Sequence, residues 1–149
     1  MELAIAADLR IASTHAMFSL PEVKRGLLPA AGSLVRLPRQ IPTAIAKEII
    51  LTGEPISAER AYNIGFLNAV VPADRMLDHA TTMAERIAAN GPLAVRLASE
   101  VIATSCSGVP LSEAFAVETQ ANATIQQSAD AREGARAFVE KRPPKFSGS

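Results

Sequence analysis

The sequence predicts an α/β protein in which residues 1–72 mix short strands with short helices and residues 73–149 are helical. The composition changes near Pro72. Before that residue, prolines and glycines interrupt the chain too often for long helices, at Pro21, Gly26, Pro29, Gly32, Pro38, Pro42, Gly53, Pro55 and Gly65. After it, the chain is periodic and rich in alanine. Apolar residues make up 48% of the chain and aromatic residues only 4%, which favours helices that pack closely through small side chains.

The elements of residues 1–72 are predicted from short apolar runs and the turn residues beside them. These are a buried helix over 2–7, strands near 9–12 and 16–19, helices over 43–51 and 58–64, and a strand at 70–71. We expect Gly53 and Gly65 to end the two later helices, because glycine adopts the left-handed conformation found there. Ser57 precedes the second of them and is a suitable N-cap.

Four helices are predicted after Pro72. Met76, Ala80, Met83 and Ile87 step by four, three and four residues, which indicates one face of a helix that stops at Asn90-Gly91. The other three are predicted over 93–104, 112–127 and 130–140. Asp130 is the expected N-cap of the last helix, and the prolines at 143 and 144 prevent its continuation.

Charge and residue counts exclude several classes of protein. Lys plus Arg is 15 and Asp plus Glu is 15, so no net field favours nucleic acid or an anionic membrane. The single cysteine, Cys106, excludes a disulfide framework and is interpreted as a small buried side chain. His15 and His79 have no metal-ligand spacing and are expected at the surface. With no apolar run near 20 residues and no basic leader, we expect a soluble cytoplasmic protein without a metal or cofactor.

Two glutamates are candidates for acid–base chemistry. Glu2 lies in an otherwise apolar stretch, and Glu22 follows Pro21 in a turn. Two carboxylates brought together in apolar surroundings can act as an acid and a base. Their spacing alone leaves open the alternative that Glu2 is a solvated terminal residue and Glu22 a surface turn residue. The small-residue loop at 27–33 lacks the pattern of a phosphate-binding loop, so nucleotide binding is not indicated.

Several motifs in order resemble the crotonase superfamily, which includes enoyl-CoA hydratases and isomerases. The matching segments are residues 2–12 (ELAIAADLRIA), 16–29 (AMFSLPEVKRGLLP), 36–39 (RLPR), 51–58 (LTGEPISA), 65–72 (GFLNAVVP) and 132–142 (REGARAFVEKR). The resemblance covers essentially the whole chain. It implies the C-terminal half of a crotonase (ClpP-like) ββα spiral over residues 1–72, followed by a helical oligomerisation region over residues 73–149 that builds homotrimers or hexamers.

The resemblance also implies residue roles. Glu2 and Glu22 fall on the two catalytic glutamates of the hydratase branch, which hold a water and add it across the 2,3-double bond of an enoyl-CoA thioester in fatty acid metabolism. Phe138 and Lys141 fall where the family contacts the CoA nucleotide of a neighbouring subunit. Coenzyme A is then part of the substrate and not a cofactor, and neither nucleic acid nor membrane is a partner.

The sequence departs from the family pattern at two places. The loop at 29–35 reads PAAGSLV where the family usually has PGAGGTQ, so Ala30 introduces a methyl group where backbone approaches the catalytic water. The family's two oxyanion donors precede the position of Glu2, so we expect an N-terminally truncated chain that is inactive in isolation. The alternatives left open are an assembly module without catalytic activity, a sibling isomerase, and a helical interaction protein unrelated to CoA.

Overall fold

The computed structural model describes all 149 residues and divides into two compact units, Met1–Thr81 and Thr82–Ser149. All strands lie in the first unit: β1 (Ile11–Ser13), β2 (Met17–Phe18), β3 (Ile56–Ser57) and β4 (Ala69–Val71). Strands β1 and β4 are parallel, with Ala12 opposite Val70, and β2 and β3 are antiparallel, with Phe18 opposite Ile56. These two small ladders hold together segments that are far apart in the chain.

The first unit also contains short helices. They are α1 (Glu2–Ala6), a 3₁₀ helix (Pro21–Arg25), α2 (Ser33–Gln40), α3 (Thr43–Thr52), α4 (Ala58–Asn63) and a second 3₁₀ helix (Ala73–Arg75). As predicted, α3 ends at Gly53, whose φ of 65° is left-handed, and the Ser57 hydroxyl caps α4 by accepting from the Arg60 N–H at 3.2 Å. Local turn and cap interactions therefore define where α3 ends and where α4 begins.

The core of the first unit is aliphatic around one aromatic pair. Phe66 is fully buried, and its ring meets that of Phe18 edge to face with centroids 5.5 Å apart. The guanidinium of Arg10 lies 4.4 Å from the centroid of the Phe66 ring. The aliphatic members are Ile5, Leu20, Leu37, Ile41, Ile49, Ile50, Ile56 and Leu67. Elements α1, α2, α3 and the first 3₁₀ helix are therefore anchored to one core.

The second unit is helical, and no strand lies in residues 73–149. Helix α5 (Met76–Ala88) crosses the division, and α6 (Pro92–Ser105), α7 (Leu111–Gln126) and α8 (Ala129–Glu140) follow. Helix α6 packs on α7, and α7 packs on α8. No residue of α5 or α6 is fully buried, so apolar side chains of these helices remain exposed.

The fold class predicted from the sequence is confirmed, and three details are wrong. Helix α2 was not expected because Pro38 lies inside it; the burial of Leu37 offsets the hydrogen bond that the proline removes. The N-cap of α8 is Ser128 and not Asp130, whose carboxylate instead accepts from the Ser147 and Gly148 N–H groups. Cys106 is exposed, because it follows the end of α6. None of the helices is long and apolar enough to cross a membrane.

Candidate active site

Glu2 begins helix α1 and is half-buried. Its Oε1 accepts a hydrogen bond from the backbone N–H of Ala30 at 2.9 Å. The short helix is held in place by Ile5, which is fully buried, and α1 packs against α2. A carboxylate that accepts from a fixed backbone N–H has a defined direction, so Glu2 is not a freely rotating terminal side chain.

Glu22 lies in the 3₁₀ helix Pro21–Arg25 and has one unusual oxygen. Its Oε2 is buried and has no hydrogen-bond partner in the protein. The buried Leu20 anchors the start of this helix, and Gly26, with a φ of 72°, ends it. Folded proteins pair nearly all buried polar atoms, and an exception is a candidate for a catalytic role. The Oε2 of Glu22 can therefore accept a hydrogen bond from a donor outside the protein, such as a water molecule.

Two contacts fix the 3₁₀ helix that carries Glu22 against the end of α3. The Lys24 ammonium pairs with the Glu54 carboxylate at 2.7 Å. At Gly53 the backbone approaches so closely that an added Cβ would lie 3.3 Å from the Pro21 Cα and 3.1 Å from the Lys24 side chain. The position of Glu22 thus depends on the close packing of two backbones.

The loop after Gly26 connects the two glutamates. At its start, the Leu27 N–H donates to the Glu22 carbonyl at 3.0 Å, and near its end the Ala30 N–H donates to the Glu2 carboxylate. The loop then turns through two left-handed residues, Ala31 with a φ of 49° and Gly32 with a φ of 83°. One loop therefore contacts the backbone of one candidate acid and the side chain of the other.

Phe138 and Lys141 lie at the C-terminal end of α8, in the second unit. The Phe138 ring is 85% exposed, and Lys141 ends the helix in a left-handed conformation with its N–H donating to the Phe138 carbonyl at 3.2 Å. None of the ion pairs of the structure includes the Lys141 side chain. The structure thus presents an exposed ring and an unpaired cation three residues apart, a combination suited to a nucleotide.

Residues that follow α8 form hydrogen bonds and an ion pair with Glu133 of the same helix. Arg142 donates to both oxygens of Glu133, at 2.6 and 3.0 Å, and the Lys145 N–H donates to the same carboxylate at 2.9 Å. These donors lower the pKa of Glu133 to about 2, with the Arg142 side-chain hydrogen bonds contributing most. Donors from Ser147 and Gly148 similarly lower the pKa of Asp130. The chain contains no group of His, Cys, Asp and Glu side chains that could hold a metal ion.

A family model described as enoyl-CoA hydratase/isomerase matches residues 1–149. The chain belongs to this family. Enoyl-CoA hydratase EchA19 of Mycobacterium tuberculosis is 42% identical over 146 residues, which are 97% of this chain and 54% of the relative. The crystal structure of enoyl-CoA hydratase EchA1 from Mycobacterium marinum is 47% identical with a TM-score of 0.94, over 99% of this chain and 60% of that one. The 1.8 Å structure of an enoyl-CoA hydratase from Bacillus anthracis is 41% identical with a TM-score of 0.95, over 99% and 57%.

Family membership confirms the resemblance predicted from the motifs. The chain spans little more than half the length of these hydratases, which agrees with the C-terminal half of the crotonase fold. Sequence reasoning singled out Glu2, Glu22, Phe138 and Lys141, but it did not distinguish Ser33, the buried residue that follows the left-handed turn, from the rest of its loop. The only feature of the sequence that distinguishes this position is a serine where the family pattern usually has glycine.

Proposed function

We propose that this chain supplies the acid–base residues of an enoyl-CoA hydratase, a lyase of fatty acid metabolism. The observation that carries the proposal is the buried Oε2 of Glu22, which has no partner in the protein. The second carboxylate, Glu2, is held by the loop that also contacts Glu22. Membership of the enoyl-CoA hydratase/isomerase family supports the substrate class, an enoyl-CoA thioester.

In the proposed reaction, both glutamates contact one water molecule. One carboxylate takes a proton from the water as its oxygen bonds to C3 of the conjugated thioester. The other glutamate starts as the neutral carboxylic acid and gives its proton to C2, so the double bond is consumed and the product is a 3-hydroxyacyl thioester. The reaction leaves the first glutamate protonated and the second ionised, and transfer of one proton between them restores the starting state. Groups in such positions typically contribute about 10²–10⁴-fold to a rate.

Negative charge develops on the thioester oxygen when water adds to the double bond. The family meets this charge with two backbone N–H donors in segments that precede the position of Glu2. Loss of one such donor costs roughly 10²–10³-fold in a well-studied case. We therefore expect these 149 residues on their own to hydrate an enoyl thioester poorly.

The second unit is proposed to bind the CoA nucleotide and to mediate assembly. An exposed Phe138 ring is suited to stacking on adenine, and the unpaired Lys141 to contacting a phosphate of CoA held by a neighbouring subunit. Large apolar side chains are exposed across this unit: Ile102, Leu111, Phe115, Phe138 and Val139. Exposed apolar surface of this kind is typical of protein interfaces, which supports a homotrimer or a hexamer made of two trimers.

The test is a chimera that joins the preceding part of the Mycobacterium marinum hydratase to residues 1–149. Hydration is followed as the loss of absorbance of a conjugated enoyl thioester, beside the 149-residue chain and the unmodified M. marinum enzyme. We expect hydration by the chimera at a rate within about tenfold of the M. marinum enzyme, and at least about 10²-fold slower hydration by the isolated chain. A correctly folded chimera without hydratase activity would contradict the proposed function.

A further inference from the structure

Ser33 is the one fully buried polar residue of the first unit, and its hydroxyl forms one hydrogen bond. The side chain is 0% exposed, and its Oγ donates to the Ala30 carbonyl at 2.8 Å. The Ser33 backbone N–H donates to the same carbonyl at 2.9 Å. A buried hydroxyl needs a partner, and here that partner is the loop residue whose N–H binds Glu2.

The turn between Ala30 and Ser33 places one alanine in a conformation that alanine does not favour. Ala31 has a φ of 49° although it carries a Cβ, and Gly32 follows with a φ of 83°. A left-handed alanine persists only where surrounding contacts fix it. The two donors of Ser33 supply such contacts at the carbonyl of Ala30, directly before the strained residue.

Both backbone polar groups of Ala30 are thus hydrogen-bonded. Its carbonyl accepts from Ser33, and its N–H donates to Oε1 of Glu2 at 2.9 Å. We propose that Ser33 is a positioning residue, which fixes the Ala30 backbone and through it the direction of the Glu2 carboxylate. The inference rests on the proposed function, since it gives Ser33 a role in moving the proton at Glu2.

The neighbouring residues explain why one hydroxyl carries this role. Leu34 and Val35 follow Ser33 and have exposed apolar side chains, so neither side chain can form a hydrogen bond to the loop. The backbone N–H groups of Val35 and Arg36 donate to the Gly32 carbonyl, at 3.1 and 2.8 Å, and not to that of Ala30. A glycine at position 33, as is usual in the family pattern, would keep only the backbone N–H bond and add conformational freedom. In this chain the side-chain hydrogen bond to the Ala30 carbonyl therefore comes from Ser33.

The test is a double-mutant cycle in the chimera, combining Ser33→Ala with Glu2→Gln. We expect Ser33→Ala to lower kcat about tenfold, with KM changed less than twofold, because substrate binding does not involve the loop hydroxyl. In the Glu2→Gln background the same change should lower kcat less than twofold, because the carboxylate it orients is gone. Ser105→Ala is the matched control: it removes a hydroxyl that donates to a backbone carbonyl at the same 2.8 Å, on α6, and should leave kcat unchanged.

Two results would overturn the inference. Ser33→Ala with an unchanged melting temperature and an unchanged kcat would show that the hydroxyl positions nothing. A tenfold loss that persists in the Glu2→Gln background would show a structural role unrelated to Glu2.

The effect of Ser33 on the Ala30 backbone can also be tested without catalysis. The quantity measured is the hydrogen-exchange rate of the Ala30 amide in the 149-residue chain. Slow exchange is expected in the unmodified chain, with exchange at least about tenfold faster in Ser33→Ala. Equal exchange rates would contradict the positioning role even if the proposed function is correct. Faster exchange in a chimera without hydratase activity would retain the positioning role and reject the function.

Discussion

Replacing Glu22 by glutamine should make the protein more stable and much less active. The Oε2 of Glu22 is buried without a partner, and an unsatisfied buried polar group costs about 1–3 kcal/mol, more when it is charged. Glutamine has nearly the same shape and still places a polar atom at this position, but it is neutral, so Glu22→Gln should recover only the additional cost of burying a charge, on the order of 1 kcal/mol. For a chain of this size, that gain raises the melting temperature by roughly 2–4 °C.

The same substitution removes a proton carrier. We expect Glu22→Gln to lower the hydration rate of the chimera about 10²–10⁴-fold. Thermal unfolding of the 149-residue chain measures the stability, and loss of enoyl-thioester absorbance measures the rate. Glu59→Gln is the control, because Glu59 is an exposed residue of the same unit. It should leave the rate unchanged and lower the stability slightly, by about 0.3–1 kcal/mol, because Glu59 lies in the first turn of α4. A lower melting temperature for Glu22→Gln, or more than a tenth of the original rate, would refute the reasoning.

Three further predictions concern the pH, the backbone and the substrate. Because the folded pKa of Glu133 is lowered from 4.5 to about 2, its contribution to stability is complete above about pH 4.5 and is lost as the pH falls toward 2; thermal unfolding should show this slope, and Glu133→Gln should reduce it. Gly53→Ala should destabilise the chain by about 1–3 kcal/mol in denaturant unfolding, because φ is 65° and a Cβ would meet backbone at 3.3 Å, whereas Ala44→Gly on the same helix should cost only about 1 kcal/mol. Lys141→Gln should raise the KM for the CoA thioester about 2–5-fold with little effect on kcat, as expected for an exposed charge contact, and Lys145→Gln should not.

Much of the fold was predictable because its signals are local. Gly53 and Ser57 bound two helices by conformations and hydrogen bonds within three or four residues, and both predictions are confirmed. Helix α2 was not predictable, because Pro38 lies inside it and only the burial of Leu37 in the tertiary structure offsets that proline. The cap of α8 was chosen wrongly because Asp130 is engaged by Ser147, 17 residues away.

The candidate site was predictable in its residue types but not in its geometry. The motif resemblance singled out Glu2 and Glu22, but spacing alone did not distinguish them from surface glutamates. The bond between Glu2 and Ala30 joins residues 28 positions apart, and the left-handed turn that follows Ala30 is not signalled by a sequence that has alanine at position 31. The free oxygen of Glu22 arises from packing around it, which no local pattern encodes.

The most direct test of the central claim is the hydration rate of the chimera with Glu2→Gln. The amide keeps an oxygen that can accept from the Ala30 N–H, so the loop and the binding of the thioester should be preserved. The account predicts a loss of about 10²–10⁴-fold in kcat with an unchanged dissociation constant for a saturated acyl-CoA. A variant that keeps more than about a tenth of the rate would contradict the claim that this chain supplies the acid–base pair of a hydratase.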